Sequence, residues 1–247
     1  GGSISSTDPN GAVTINGPVT GPGRLTTTGA GWSSGRGLVV LDNAANNWTG
    51  GLYNNQYNVV RVNAGSSLGT GPVVLTHLGA GIDFRTSNSS MASLAGIGYV
   101  TANAGPLTLL GTTVTPGMSV GTLTVNGDLI LDDGAEVEIE LDGTAGTWDI
   151  LDINGALTLT DADLSMIVLT TDPGGELVFV ETDDGVTGTF NGLPEGATVP
   201  GVGRTITYRS IDGNDIALFA GGGGPVPEPS GLGLIGLAAL GLRRKRR

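Results

Sequence analysis

Apolar and polar residues alternate along much of the chain in short runs broken by Gly, Asn and Pro. Leu123 and Val125, Leu129 and Leu131, then Val137, Ile139 and Leu141 are apolar at every second position, with polar residues between them. A period of two predicts strands with one buried and one wet face. Leu38-Val39-Val40-Leu41 is a continuous apolar run and predicts a buried strand. Ala12 to Ile15 runs into Asn16-Gly17, a strong turn signal. Leu78 to Tyr99 is the least patterned stretch, and Ser87 to Ala95 reads as a loop or a single helical turn.

The pattern also repeats at long range. Leu123-Thr124-Val125-Asn126-Gly127-Asp128-Leu129-Ile130-Leu131 matches Leu151-Asp152-Ile153-Asn154-Gly155-Ala156-Leu157-Thr158-Leu159 at an offset of 28. The same offset aligns Asp133 with Asp161, Ile139 with Ile167 and Leu141 with Leu169. A repeat of three short strands that cannot bury its apolar face alone is one coil of a solenoid. Stacked coils place each Asn-Gly above the last, and the body accommodates about six to eight of them. The predicted fold is all-β: a right-handed parallel β-helix, with the hand taken from crossover chirality. Residues 1–171 are assigned to the coils and 172–220 to a C-terminal β-cap. Residues 221–225 form a Gly-rich linker and 226–247 a separate tail.

Trp48-Thr49-Gly50-Gly51-Leu52, followed by Leu68-Gly69-Thr70-Gly71-Pro72 and Val73-Val74-Leu75, resembles the autotransporter-associated β-strand repeat. The resemblance spans Trp48 to Leu75 and departs from the family where Tyr53-Asn54-Asn55-Gln56-Tyr57 replaces a plain strand. Pro116-Gly117-Met118-Ser119-Val120-Gly121-Thr122 resembles the turn that precedes the last coils of such proteins. The resemblance implies an architecture, including the right hand, and no activity.

Composition narrows the field further. The 247 residues include 45 Gly and no Cys, so neither disulfides nor thiolate chemistry is available. The formal charge is −12, and five of the eleven Lys and Arg lie in Arg243–Arg247. Without residues 227–247, six Arg face twenty-two Asp and Glu and the charge is −16. Nucleic acid is excluded as a partner of such a body, because binding it needs phosphate-neutralising cations. The chain begins at Gly1 without a charged and apolar leader, so an upstream export segment is expected.

The tail has three parts in fixed order. Val226, Pro227, Glu228, Pro229 and Ser230 form a stiff polar motif, Gly231 to Leu242 an uncharged apolar run, and Arg243, Arg244, Lys245, Arg246 and Arg247 a basic block. An apolar run closed by cations engages a membrane with its basic end on the cytoplasmic side. Twelve helical residues span about 18 Å, short of a hydrocarbon core of about 30 Å, which suits a transient transmembrane anchor. The tail closely resembles the PEP-CTERM sorting signal of Gram-negative bacteria that make exopolysaccharide. That resemblance implies recognition by an exosortase, a transient inner-membrane intermediate, removal of the signal near Pro227–Pro229 and delivery to the cell surface or extracellular matrix.

Chemistry elsewhere is sparse. Glu136, Glu138 and Glu140 share one strand face, where alternation spaces carboxylates out instead of converging them on a cation. Asp212-Gly213-Asn214-Asp215 reads as an Asx turn. His77, the sole histidine, stands without a nearby acid or nucleophile motif. The six body arginines, Arg24, Arg36, Arg61, Arg85, Arg204 and Arg209, fall at irregular intervals. Trp32, Trp48, Trp148, Tyr53 and Tyr57 are read as the plausible sugar-stacking residues outside the cap, and Trp48, Tyr53 and Tyr57 are the candidates chosen. Trp148 is assigned to packing. No catalytic residue, metal ligand or cofactor is assigned. The expectation is a non-enzymatic exported protein, structural or adhesive, lodged in extracellular polysaccharide. Its alternatives are a carbohydrate-binding β-helix module or a β-helix lyase or hydrolase.

Overall fold

The computed structural model describes residues 1–6, 8, 11–29, 36–86, 88–89, 91–210 and 213–220. Strand follows strand with period-two burial, and the described residues form 25 strands, numbered β1 to β25 in chain order, and no helix. They make a parallel β-solenoid of about seven turns.

The first sheet stacks β1 (Gly2–Ser6), β3 (Leu25–Gly29), β5 (Leu52–Asn55), β7 (Val73–Leu75), β10 (Ser93–Gly96), β13 (Thr113–Pro116), β16 (Glu136–Asp142) and β20 (Asp163–Val168), all in parallel. β17 (Thr147–Trp148) folds back antiparallel on β16. The second sheet stacks β2 (Ala12–Ile15), β4 (Gly37–Leu41), β6 (Asn58–Val62), β8 (Gly81–Phe84), β11 (Tyr99–Ala102), β14 (Thr122–Asn126), β18 (Ile150–Asn154) and β21 (Leu177–Thr182). The third stacks β9 (Asn88–Ser89), β12 (Leu107–Leu110), β15 (Leu129–Asp132), β19 (Leu157–Leu159) and β22 (Val186–Thr187).

Register explains the alternation. Leu123 stacks on Leu151, Val125 on Ile153, Leu129 on Leu157 and Leu131 on Leu159, and all eight are buried. Each inward residue meets its counterpart one coil away, so the core is a set of apolar columns running the length of the solenoid. Outside, Asn154 Nδ2 donates to Asn126 Oδ1 at 2.8 Å, the Asn-on-Asn stacking expected from the repeat.

The offset of 28 does not hold in the first sheet. There Glu136 pairs with Asp163, Ile139 with Met166 and Leu141 with Val168, an offset of 27. The cause is a turn shortened by one residue. Asp132, Asp133 and Gly134 separate Leu131 from buried Ala135, whereas only Thr160 and Asp161 separate Leu159 from buried Ala162. Gly134 takes φ +74° in the longer turn and Asp161 takes +54° in the shorter one, a conformation Asp tolerates better than most side chains. Ile167 therefore faces outward, and Leu169 is left exposed.

Coil length is not uniform either. Gly81 pairs with Tyr99, 18 residues on, and Leu157 with Val186, 29 residues on. The least patterned stretch, Leu78 to Tyr99, contains β8, whose Gly81, Ile82, Asp83 and Phe84 are all buried, and the part of it expected to be a loop or helical turn, Ser87 to Ala95, holds β9 and most of β10. In the early coils the third side is a loop stack. Asn46 Oδ1 accepts from Val19 N–H (2.8 Å) and Asn46 Nδ2 donates to Ser67 O (2.9 Å), tying three successive loops together.

The solenoid closes through a change of strand direction. β21 lies parallel to β18 on one side and antiparallel to β25 (Asp215–Phe219) on the other, and β24 (Arg204–Ser210) and β23 (Thr198–Val199) continue antiparallel. β22 still stacks in parallel on β19, so coil-like pairing extends past residue 172 into the segment assigned to the cap. Arg204 is buried and binds Asp172, with Nη1 donating to Gly175 O (2.6 Å) and Leu218 O (3.5 Å).

Candidate functional site

The three residues chosen for sugar stacking do not form one platform. Trp48 is 1% exposed and packs in the core, so it presents no ring face to a ligand. This corrects the expectation. Without a strand on the third side of the early coils, a large side chain fills the space there, beside buried Leu68. Tyr53 does face outward on β5, but the Arg24 guanidinium lies over its ring, 4.4 Å from the centroid. Tyr57 sits at the β5–β6 corner, edge-on to His77 with ring centroids 4.6 Å apart. Trp148, assigned to packing, is half-buried, and its Nε1 donates to Val178 O (2.6 Å). Trp32, Asp212 and the whole tail, including Val226 to Ser230 and Arg243 to Arg247, lie outside the described residues.

A different group assembles on the outer face of the second sheet. Arg36 precedes β4, Arg61 lies on β6, and Arg85 follows β8. These strands are consecutive in the sheet, so arginines that looked scattered along the chain share one surface. Arg61 is directly opposite Asp83 on β8 and donates to it through Nε at 2.8 Å. Arg85 donates to the same carboxylate through Nε (3.2 Å) and Nη2 (3.0 Å), and Asn103 Nδ2 donates to its other oxygen at 2.6 Å. The Asp83 side chain is only 10% exposed, while Arg61 and Arg85 are 35% and 45% exposed. Burial pushes the Asp83 carboxyl up, but the bonds from Arg85, Arg61 and Asn103 outweigh it and hold the group below the usual carboxylate range.

Tyr99 completes the face. It starts β11, and its ring lies across Gly81 of β8, where an added Cβ would come within 2.2 Å of the Tyr99 Cζ. From there it reaches Arg36, whose Nη1 donates to the hydroxyl at 2.5 Å and whose guanidinium sits 4.9 Å from the ring centroid. Burial raises the Tyr99 hydroxyl above its ordinary pKa, against the opposing pull of Arg36. Half-buried Leu38 and Val59 occupy the same row as Gly81 and Tyr99.

Charge is unevenly divided along the axis. Residues 1–110 hold four Arg against three Asp, while residues 111–220 hold two Arg against nineteen Asp and Glu. On the acidic half, Glu136, Glu138 and Glu140 do project from one face of β16. Burial, and the charges of Glu136 and Glu140, raise the Glu138 carboxyl above its ordinary pKa. Beside Glu140 an open trough of about 350 Å³ runs over Val74, Ala95 and Thr115, with Met118 on its wall. Among the described residues no group of three or more His, Cys, Asp or Glu is placed to hold a metal ion.

Sequence reasoning missed Asp149. It is fully buried, and its oxygens accept the N–H groups of Gly121 (2.8 Å) and Glu140 (2.9 Å). Burial pushes its carboxyl up to about 7 against those two donors, with Glu140 and Glu138 adding repulsion. The only sequence signal was an isolated Asp between Trp148 and Ile150 at the start of a strand.

Comparison with known proteins adds one finding. Residues 225–247 match the family model described as the PEP-CTERM protein-sorting motif. No curated protein matches the chain. Among the described residues no helix is long and apolar enough to cross a membrane. The motif implies recognition by an exosortase and marks an exported, membrane-processed protein destined for the cell surface. The chain is thus a parallel β-solenoid that carries a PEP-CTERM protein-sorting motif at residues 225–247.

Proposed function

We propose that this protein is a non-enzymatic component of the cell surface or extracellular matrix, structural or adhesive, that associates with exopolysaccharide. The observation that carries the reading is the sorting motif at residues 225–247 behind a solenoid body. A solenoid buries one continuous apolar column and exposes long repetitive faces, which suits a spacer or scaffold. An acidic surface keeps such a rod solvated outside the cell. The row Glu136, Glu138 and Glu140 follows strand alternation, which spreads carboxylates along a face. That favours a solvated surface over the facing carboxylate pair of a glycoside hydrolase.

A second reading, carbohydrate binding, is favoured by the face of Arg36, Arg61, Arg85 and Tyr99. It replaces the aromatic set of Trp48, Tyr53 and Tyr57 as the place where a sugar polymer would dock.

The test is extraction of matrix from a host carrying the intact gene and from one whose chain lacks residues 225–247. Co-fractionation of the intact chain with matrix polysaccharide, and retention of the truncated one inside the envelope, is the expected result. Equal distribution of both would overturn the reading, as would polymer cleavage by the purified protein that is lost on a single Arg substitution.

A further inference from the structure

We propose that the diagonal of Arg36, Arg61 and Arg85 on the outer face of the second sheet is a docking site for a linear polysaccharide that carries carboxylates on its repeating units. The proposal rests on the matrix reading above and names the chemical class of the polymer.

Four observations support it. First, the guanidiniums are held with donors to spare. Among the described residues Arg61 donates only through Nε, to Asp83, and its side chain is 35% exposed, which leaves the N–H groups of both terminal nitrogens for another acceptor. Arg85 gives Nε and Nη2, and Arg36 gives Nη1 to Tyr99. Asp83, bonded by these donors and Asn103 and only 10% exposed, is a positioning residue that fixes the direction of two arginines at once. Planar guanidiniums match carboxylates through paired N–H bonds, which a lysine ammonium does not.

Second, the face supplies an apolar floor beside the cations. Leu38, Val59 and the ring of Tyr99 over Gly81 form one row between Arg36 on one side and Arg61 on the other. A pyranose ring offers C–H groups to such a strip while its substituents reach the arginines.

Third, the arrangement is directional. From the position of Arg36 to that of Arg85 is six residues along the strands and two strands along the axis, about 20 Å by ~10 Å. A polymer on this diagonal crosses the rod and does not run down into the acidic half.

Fourth, the charge is local. Asp83 is bonded to Arg61, Arg85 and Asn103, and Asp42 is held by Asn63 (3.0 Å), so the two acids on β8 and beside β4 already have partners. Over residues 111–220 acids outnumber arginines nineteen to two. Among the described residues a polyanion therefore meets less repulsion on the coils of the N-terminal half than on those of the C-terminal half.

The experiment uses the purified full chain and immobilised alginate as the polyuronate probe. Dextran serves as the neutral comparison and chitosan oligomers as the cationic one. Saturable alginate binding that weakens with salt is expected, with no saturable binding to dextran. Arg61→Ala and Arg36→Ala each weaken alginate binding about tenfold, while Arg209→Ala on the exposed cap leaves it unchanged. Arg61→Ala leaves Asp83 paired with Arg85 and Asn103, and Arg36 is exposed, so both variants retain the fold; matching thermal unfolding profiles verify it. Unchanged alginate binding by both variants overturns the proposal, and so does equal affinity for dextran. Binding to chitosan or dextran alone overturns the carboxylate class while leaving the matrix reading standing. Absence of binding to any of the three polymers overturns both. An Arg61-dependent dimer formed without alginate, seen by light scattering, would assign the face to a second copy and overturn the proposal.

Discussion

Tyr99 and Arg36 stand 63 residues apart in the chain, yet the Arg36 guanidinium lies 4.9 Å from the centre of the Tyr99 ring and donates to its hydroxyl at 2.5 Å. Gly81 makes this possible, because the ring occupies the space a side chain would take. Gly81→Ala would place a methyl 2.2 Å from Tyr99 Cζ. The ring must lift, at a cost of about 1–2 kcal/mol for overpacking beneath a half-buried ring. Urea unfolding measures that cost. The same variant should bind alginate about threefold more weakly, since Arg36 loses its seat.

Trp48 gives a prediction that separates packing from sugar stacking. Its Nε1 has no hydrogen-bond partner among the described residues, although it is buried. Trp48→Ala opens a large cavity and should cost about 3–5 kcal/mol. Trp48→Phe keeps most of the volume and removes an unpaired donor, so it should cost much less, about 1 kcal/mol. Denaturant midpoints for the two variants check the ordering, and polysaccharide binding should be unchanged in the Phe variant.

Arg204 and Asp172 tie the end of the last coil to the antiparallel closing strands. Arg204 is 2% exposed and Asp172 45%, so the ion pair is half screened by water. Arg204→Met should cost roughly 2–3 kcal/mol, below the range for a fully buried pair. Hydrogen exchange should rise first in β24 and β25. The hydrogen bond from Arg204 holds the Asp172 carboxyl below its ordinary pKa. Its contribution is therefore present above the usual carboxylate pKa and lost as pH falls through the depressed value. Acid should loosen the wild-type closing strands, and the variant should show no such step.

Asp149 has the opposite sign. Its folded pKa is raised from 3.8 to about 7, so the stability it contributes is fully present below pH 3.8 and is lost as pH rises to about 7. Glu138 and Glu181, also raised, act in the same direction. The difference in urea midpoint between wild type and Asp149→Asn isolates this one group. That difference should move against the wild type between about pH 4 and pH 7 and be flat above pH 8. A difference that does not change with pH would show that Gly121 and Glu140 hold the carboxylate in its charged form throughout.

Much of the fold was legible because a solenoid writes its contacts into the sequence at a period. Leu123, Val125, Leu129 and Leu131 pair with residues 28 further on because the turns between them have equal length. The alignment of Ile139 with Ile167 failed because a single residue is missing from the turn at Thr160-Asp161, and apolar identity alone does not reveal which of two neighbours faces in. The binding face was hidden for a related reason. Arg36, Arg61 and Arg85 share a surface only through the register of β4, β6 and β8, and coil lengths between 18 and 29 residues erase any fixed period. Trp48 was misread because a tryptophan in a polar, Gly-rich loop has the same composition whether it points out or fills a side of the solenoid that has no strand. The tail was legible in full because its message is an order of residue types, matched over residues 225–247.

The central claim is that the protein is exported and sorted through its C-terminal motif. Intact mass of the chain recovered from the medium and envelope of its native host tests this most directly. A C-terminus ending near Pro227–Pro229, on protein found outside the cell, is the predicted result. A full-length chain still ending in Arg247 and confined to the inner membrane would contradict it.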